Sequence, residues 1–381
     1  SNDMSVSSNY EYAKTKMDVE NYAEFYAAEI FLNNTDWPGS NIRYWKTTNP
    51  YNPNAEYGQD GRWRWGLQDL DLTMGSDQPT GDYTYNALQK ATMAGGTVWP
   101  NPDWSTTILR NLLRNPDFKN MFINTMADHM NSAVKTSRAI SVIDRFTANI
   151  AAEMPAHISR WNAPYDMGFW NDQIDTLKQF AINRPRFQKT HIMQHFGITD
   201  TVHVTLHVSN TAQGKIRINT MDVDRDLPGV SAGVYPWTGT YFQNVPVSLH
   251  AIAYPGYRFV RWEGTVNSTD PVITLLNSGD EQVTAVFETA SPFEPDKENV
   301  SLYPNPVSGT LNIEFTDDDN GDIYLFVYDR LGKQLYAAGV NKLTQTAIAH
   351  IDVSDFSKGL YILHVKSAKG TIYKKRFSVE D

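Results

Sequence analysis

The chain contains no cysteine, which excludes disulfides, thiolate catalysis and cysteine-ligated zinc. It also lacks any apolar run close to the roughly 18 residues that a membrane span needs, so no membrane span is expected. Basic residues are in deficit, because 33 Lys and Arg stand against 43 Asp and Glu and leave a net charge of −10. Nucleic acids and anionic membranes are bound through basic patches, so the composition argues against both as partners.

What the chain does contain is enough apolar and aromatic residues for several packed cores. A length of 381 residues predicts two to four domains, and 41% hydrophobic residues can fill them. The residue pattern has helical spacing in the first half and strand-like alternation in the second. The sequence therefore predicts a multidomain α+β protein.

Four polar side chains in residues 33–75 are the candidates for a functional site. Asp36 lies in a loop with proline and glycine, and Asn41 follows five residues later. Asp69 and Asp71 lie in a second turn further along the chain. If the two turns meet, their oxygen atoms form a cage of the hard type that suits Mg²⁺ and phosphate.

A β-hairpin is expected to bring these two turns together. The runs Ile42–Trp45 and Arg62–Leu67 are rich in β-forming residues, and Asp60-Gly61 is a turn signal between them. The second run continues directly into the turn that carries Asp69. The fold of this hairpin therefore decides whether the site exists.

The order of helix, D-x-x-x-x-N loop, hairpin and metal-binding aspartate resembles the catalytic half of a protein kinase. The residues are more similar still to the spore coat protein H (CotH) kinase family, with its N-x-D-W-x-x-x-N loop and W-x-x-x-D-x-D turn. This resemblance implies that Asp36 positions or deprotonates a Ser/Thr hydroxyl of a protein substrate. It also implies that Asn41 and Asp69 hold Mg²⁺ and ATP and that Asp71 is a second metal ligand. Which of Asp69 and Asp71 is the main ligand stays open.

The residues before the loop do not resemble the N-terminal lobe of a kinase. Only 35 residues precede Asp36, and most of them form a predicted helix from Val19 to about Leu32, capped by Asp18. No G-x-G-x-x-G motif and no strand lysine occur there. We therefore expect residues 1–198 to be a kinase-like C-lobe without its N-lobe. We expect this chain alone to be inactive and to need that lobe to use ATP and Mg²⁺.

Helical apolar stripes continue after the hairpin and predict the scaffold of this C-lobe. Pro185 crosses the last of them and must kink or split it. The predicted helices are Ser105–Arg114, Asp117–Asn131, Thr136–His157 and Trp170–Gln194.

Residues 199–289 predict a small all-β domain. Thr201–Val208 alternates perfectly between apolar and polar residues, which indicates a half-buried strand. The stretch 251–264, AIAYPGYRFVRWEG, resembles the divergent β-repeat of bacterial surface proteins. The other predicted strands are Lys215–Asn219, Tyr241–Phe242, Val247–Ala253, Arg258–Trp262, Val272–Leu276 and Gln282–Glu288.

Residues 290–299 are predicted to be a linker, and residues 300–381 a second β module. About seven strand signals favour a sandwich of immunoglobulin-like (Ig-like) type. The module resembles the C-terminal sorting domain of the type IX secretion system, which implies export across the outer membrane to the cell surface or beyond. The secretion machinery is then the partner of residues 300–381. The motifs that carry the resemblance are Y-P-N-P at Tyr303–Pro306, Y-D-x-x-G-K at Tyr328–Lys333, G-x-Y at Gly359–Tyr361 and the basic strand Lys374–Phe377.

Three functions are consistent with these patterns. The first is an exported protein kinase that transfers phosphate from ATP, with Mg²⁺, to protein Ser/Thr. The second is a non-catalytic cell-surface binding or structural protein on a kinase-like scaffold. The third is a carbohydrate-active enzyme in which Asp36 and Asp69 would be the paired carboxylates, about 5–10 Å apart, of a glycosidase; we rank it last.

Overall fold

The computed structural model describes residues 2–76, 81–94, 101–230, 233–290, 300–316, 321–330, 333–367 and 372–380. Residues 291–299 of the predicted linker and residues 331–332 of the Y-D-x-x-G-K motif lie outside the described residues. The chain divides into two compact units, Ser1–Thr289 and Ala290–Asp381.

The first unit begins with helices. Asp18 caps the second helix as predicted, because its side chain accepts a hydrogen bond from the backbone N–H of Asn21. A 3₁₀ turn over Asp103–Thr106 and a short helix replace the predicted helix Ser105–Arg114. The helices are α1 (Ser7–Lys14), α2 (Val19–Leu32), α3 (Ala87–Thr92), α4 (Thr107–Leu112), α5 (Pro116–Asn131), α6 (Thr136–Ile150), α7 (Met154–Trp161) and α8 (Met167–Phe196).

Prolines divide one predicted helix and leave another intact. The single helix expected over Thr136–His157 is two helices, α6 and α7, because Pro155 has no N–H to continue α6 and lies instead in the first turn of α7. Pro185 does not split α8. It leaves the carbonyl of Ala181 without a helical donor, and the hydroxyl of Thr136 donates to that carbonyl at 3.0 Å.

The hairpin forms as expected, with shorter strands β1 (Arg43–Trp45) and β2 (Arg64–Gly66) paired antiparallel. Asp60 belongs to an ion pair near its base: both carboxylate oxygens accept from the buried Arg64 guanidinium at 2.7 Å. The same guanidinium lies 2.8 Å from the carboxylate of Asp18. These contacts attach the hairpin to the start of α2.

The remaining strands of this unit form two four-stranded sheets. The alternation predicted for β3 is confirmed, since Val202, Val204 and Leu206 are all buried. One continuous core contains side chains from the helices and from both sheets. The strands are β3 (Thr201–Val208), β4 (Gly214–Ile218), β5 (Met221–Val223), β6 (Trp237–Phe242), β7 (Val247–Ala253), β8 (Tyr257–Gly264), β9 (Val272–Leu275) and β10 (Glu281–Thr289), in the orders β6-β3-β10-β8 and β5-β4-β7-β9.

Helix α5 contacts the sheets through a row of polar side chains. Asp128 accepts a hydrogen bond from the Tyr241 hydroxyl at 2.7 Å and from the Asn219 amide at 3.1 Å. Asn124 and Asn131 donate to backbone carbonyls of the β region. Complete burial raises the pKa of Asp128 to about 7, although its two hydrogen bonds act in the opposite direction.

The second unit is all-β in its described part, with sheets of three and four strands around one core. The basic residues Lys374, Lys375 and Arg376 lie on β17, at the edge of the four-stranded sheet. The strands are β11 (Val300–Tyr303), β12 (Thr310–Thr316), β13 (Gly321–Asp329), β14 (Gln334–Lys342), β15 (Thr346–Asp352), β16 (Gly359–Lys366) and β17 (Ile372–Val379), in the orders β11-β12-β15 and β14-β13-β16-β17.

Candidate functional site

The C-terminal end of α2 is held by a buried arginine. Arg184 of α8 is fully buried and donates to the carbonyls of Ile30 and Phe31 at 2.7 and 2.9 Å, and to those of Tyr83 and Tyr85 at 3.0 and 2.6 Å. The last carbonyls of a helix lack partners within it, so Arg184 supplies donors at an end that the left-handed Asn33 also caps. Burial lowers the pKa of Arg184 to about 9, which leaves the guanidinium charged at neutral pH.

The loop that follows α2 is anchored by Trp37, whose buried ring lies edge-on to Tyr26 with their centroids 4.8 Å apart. Asn41 adopts a left-handed backbone conformation, with φ of 55°. Its side-chain amide donates to Oδ2 of Asp36 at 2.6 Å. Oδ1 of Asp36 is buried without a hydrogen-bond partner among the described residues. The predicted five-residue spacing therefore brings these two side chains into direct contact.

Backbone hydrogen bonds hold the second turn against this loop. Thr35 N–H donates to the Leu72 carbonyl at 3.1 Å, and Met74 N–H donates to the Leu32 carbonyl at 2.9 Å. Asp69 lies in the turn, in a left-handed conformation with φ of 54°. The structure thus brings the loop and the turn together, as the hairpin prediction requires.

The carboxylates of the two turns influence one another. The pKa of Asp69 is raised because Asp71 hydrogen-bonds to its carboxyl group and repels its charge, and Asp36 adds a smaller repulsion. Across the described part of the chain, no three or more His, Cys, Asp or Glu side chains are grouped closely enough to hold a metal ion. The arrangement is therefore two neighbouring pairs, Asp36 with Asn41 and Asp69 with Asp71, and not one closed cage.

The donor set of these pairs nevertheless fits a magnesium ion chemically. Carboxylate and amide oxygens are the ligands that Mg²⁺ takes in proteins. The buried Oδ1 of Asp36 has no hydrogen-bond partner among the described residues. The like charges of Asp69 and Asp71 oppose ionisation of Asp69 until a cation compensates them.

Two further residues approach the loop, and the sequence patterns did not single them out. Glu29 of α2 is fully buried, and neither of its carboxylate oxygens has a hydrogen-bond partner among the described residues. Burial raises its pKa to about 7; the nearby Asn34 amide opposes this rise and Asp36 adds to it. Lys90 of α3 donates to the Thr35 carbonyl at 2.8 Å, which brings a positive charge to the residue before Asp36.

Only Glu29 left a signal in the sequence, as the acid between Ala28 and Ile30 in the otherwise apolar last turns of α2. A charged residue on the buried face of a helix is uncommon unless it is paired or functional. Nothing in the local pattern around Lys90 indicates its contact, which joins residues 55 positions apart.

Three family models match different parts of the chain. Residues 301–380 match the model of the secretion system C-terminal sorting domain, which makes the protein a substrate of type IX export. Residues 1–188 match the CotH kinase protein model. Residues 228–291 match the divergent InlB B-repeat domain. Both family resemblances that underlie the predicted kinase-like and sorting regions are confirmed.

The sorting domain determines where the protein acts. Through it, the protein engages the secretion machinery and is delivered to the cell surface or released. Within the described residues, no helix has the length and apolarity needed to cross a membrane.

Two solved structures show weak similarity to this chain. The dimeric latent PorU from Porphyromonas gingivalis is 14% identical over 45% of this chain and 16% of that one, with a TM-score of 0.20. An endonuclease/exonuclease/phosphatase from Beutenbergia cavernae is 11% identical over 39% of each chain, with a TM-score of 0.16. The chain thus spans less than half the length of either, and neither similarity bears on fold or function. No curated protein matches the sequence.

Proposed function

We propose that this chain contributes the catalytic loop and metal-binding turn of an exported protein kinase of the CotH family. In the full-length protein, the reaction is Mg²⁺-dependent transfer of the γ-phosphoryl group of ATP to a Ser/Thr hydroxyl of a protein. The observation that carries the proposal is the 2.6 Å hydrogen bond from Asn41 to Asp36 in a loop that is backbone-bonded to the Asp69 turn.

Each side chain has a role that its contacts support. The bond from Asn41 fixes the carboxylate of Asp36 and leaves Oδ1 without a hydrogen-bond partner; the loop must open for the acceptor hydroxyl to reach this buried oxygen and give up its proton. The amide of Asn41 uses its nitrogen in this bond, so its oxygen is available to a cation. Asp69 and Asp71 supply the remaining oxygen ligands. Mg²⁺, when bound, would offset the charge of the transferred phosphate.

The proposal also assigns a domain type to each part of the chain. Residues 1–198 correspond to a kinase-like C-lobe, residues 199–289 to a divergent-repeat domain and residues 300–381 to an Ig-like sorting domain. The order of helix, loop, hairpin and acidic turn supports the first assignment. The sheets of three and four described strands around one core support the last.

The test is transfer of labelled γ-phosphate from ATP to a Ser/Thr-containing protein by the full-length protein. Asp36→Asn removes the proton acceptor and should lower the rate by about 10²–10⁴-fold. Asp103→Asn, an exposed acid in the 3₁₀ turn, has the same change in charge and should leave the rate unchanged. Equal rates for Asp36→Asn and the wild type would refute the role of Asp36.

A non-catalytic binding protein on the same scaffold is the second candidate. It is favoured by the lack of any group of three metal-binding side chains among the described residues. A calorimetric titration of the full-length protein with Mg²⁺ and ATP separates the two. No heat of binding would favour the scaffold, and saturable binding of both ligands would favour the kinase.

A further inference from the structure

A cavity of about 390 Å³ lies between α6 and the loop at Gly229–Val230, away from the acidic turns. Gly229 has a φ of +80°, and a Cβ atom there would lie 2.9 Å from the carbonyl oxygen of Ser132. Glycine therefore allows the loop to approach the connection between α5 and α6 this closely. Side chains that recur at helical spacing form the α6 wall: Ser137, Arg138, Ser141, Val142 and Arg145.

The positive charges at this cavity have no carboxylate partners in the described part of the chain. Arg138 donates one N–H group to the carbonyl of Ala133, and its other N–H groups remain. The Arg145 guanidinium lies over the ring of Phe146 at 5.3 Å. Lys135, at the rim, is 3.4 Å from the carbonyl of Gly229. Arg138, Arg145 and Lys135 thus place three cations on α6 and its N-terminal flank, none with a carboxylate partner among the described residues, in a protein whose net charge is −10.

The rest of the cavity wall also suits an anion. The hydroxyls of Ser137 and Ser141 form no hydrogen bonds with the described residues and can donate to a ligand. Ser137 and Arg138 lie in the first turn of α6, where the helix dipole adds partial positive charge. Guanidinium groups bind tetrahedral oxyanions through paired hydrogen bonds that a single ammonium cannot form.

We propose that this cavity binds a phosphate monoester. Several positive charges favour a dianion over the single charge of a carboxylate or a sulfate ester. The site is open to solvent and its lining includes Val142 and Val230, so we expect the ligand to carry an organic group that packs on these side chains. The site is independent of phosphoryl transfer at the Asp36 loop.

Calorimetry on the full chain at low salt tests the proposal with O-phosphoserine, inorganic phosphate and acetate as probes. We expect one saturable site for O-phosphoserine, weaker binding of inorganic phosphate and no binding of acetate. Arg138→Ala and Arg145→Ala should each weaken O-phosphoserine about tenfold or more, since a hydrogen bond to a charged group is worth about 1.5–3 kcal/mol. Arg145→Ala removes an exposed side chain, so it keeps the test valid if Arg138→Ala disturbs the fold.

Arg160→Ala is the matched control. Arg160 stacks over Trp161 as Arg145 does over Phe146, and it lies on α7 outside the cavity lining. Its replacement should leave O-phosphoserine affinity unchanged. An equal loss in Arg160→Ala, the absence of saturable binding by the wild type, or inorganic phosphate binding as tightly as O-phosphoserine would each overturn the assignment.

Discussion

The amide of Asn41 donates a hydrogen bond to Oδ2 of Asp36 at 2.6 Å, while Oδ1 of the same carboxylate is buried without a partner among the described residues. The left-handed backbone of Asn41 turns its side chain back toward the loop. Asparagine tolerates this conformation better than most residues. Asn41 thus both bends the loop and orients the carboxylate of Asp36.

Removing that amide should destabilise the first unit. Asn41→Ala leaves the Asp36 carboxylate without its donor and places alanine at positive φ, so we expect the free energy of unfolding to fall by about 1.5–3 kcal/mol. All ten tryptophans precede residue 290, so tryptophan fluorescence during urea denaturation follows this unit alone. Asn49→Ala, which removes an exposed 3.3 Å bond to a backbone carbonyl, is the control. Equal losses in the two variants would show that the Asp36 contact has no special weight.

Arg184 should be among the most sensitive positions in the helical part. Arg184→Met keeps the length of the side chain but removes the donor of the Phe31 and Tyr83 carbonyls, whereas the Ile30 and Tyr85 carbonyls still accept from the N–H groups of Asn33 and Ala87. Each unsatisfied buried group costs about 1–3 kcal/mol, so a loss of at least about 2 kcal/mol in the free energy of unfolding is expected from urea denaturation.

Arg186→Met provides the comparison for this variant. Arg186 is exposed on the same helix and stacks over Phe187 at 5.9 Å. A surface substitution of this kind should change the free energy of unfolding by about 0.5 kcal/mol or less. Similar values for the two variants would contradict the capping role of Arg184.

The buried carboxyl of Asp128 should make stability depend on pH. Its pKa rises from 3.8 to about 7 on folding, so its contribution is fully present below about pH 4 and is lost as the pH rises toward 7. Glu29, whose pKa is raised to about 7, acts in the same direction. The free energy of unfolding, measured in urea between pH 4 and 8, should therefore decrease with rising pH more steeply in the wild type than in Asp128→Asn.

The slope and not the absolute stability is the readout in that experiment. An asparagine amide would face the amide of Asn219, which now donates to Asp128, so the variant also loses a hydrogen bond at every pH. Glu29→Gln should remove the other part of the slope. Parallel pH curves for the wild type and Asp128→Asn would mean that this carboxyl does not titrate in the folded protein near neutral pH.

Local sequence patterns predicted most helices and strands. They could not predict features that depend on contacts between residues far apart in the sequence. Asp18 as a helix cap and the bounds of β3 and β7 follow from residues that are neighbours in sequence. The continuity of α8 through Pro185 is supported by Thr136, which lies 45 positions before Ala181. No periodicity within a helix can report such a partner.

At the candidate site, too, sequence spacing predicted some contacts and others depend on long-range packing. The spacing of Asp36 and Asn41 and the intervening hairpin predicted that the loop and the acidic turn would meet. The burial of Glu29 and the reach of Lys90 depend on packing that the spacing does not encode. The roles of Asp36, Asn41, Asp69 and Asp71 toward Mg²⁺ and ATP remain predictions.

Binding of Mn²⁺, a paramagnetic substitute for Mg²⁺, tests the central claim that the loop and the turn form one cation site. The loss of the free-ion signal in electron paramagnetic resonance gives the affinity of the full-length protein. We predict saturable binding that Asp69→Asn weakens about tenfold or more and Asp103→Asn leaves unchanged, since removing one ligand costs about 1.4 kcal/mol or more. Wild-type affinity in both Asp36→Asn and Asp69→Asn would contradict the account.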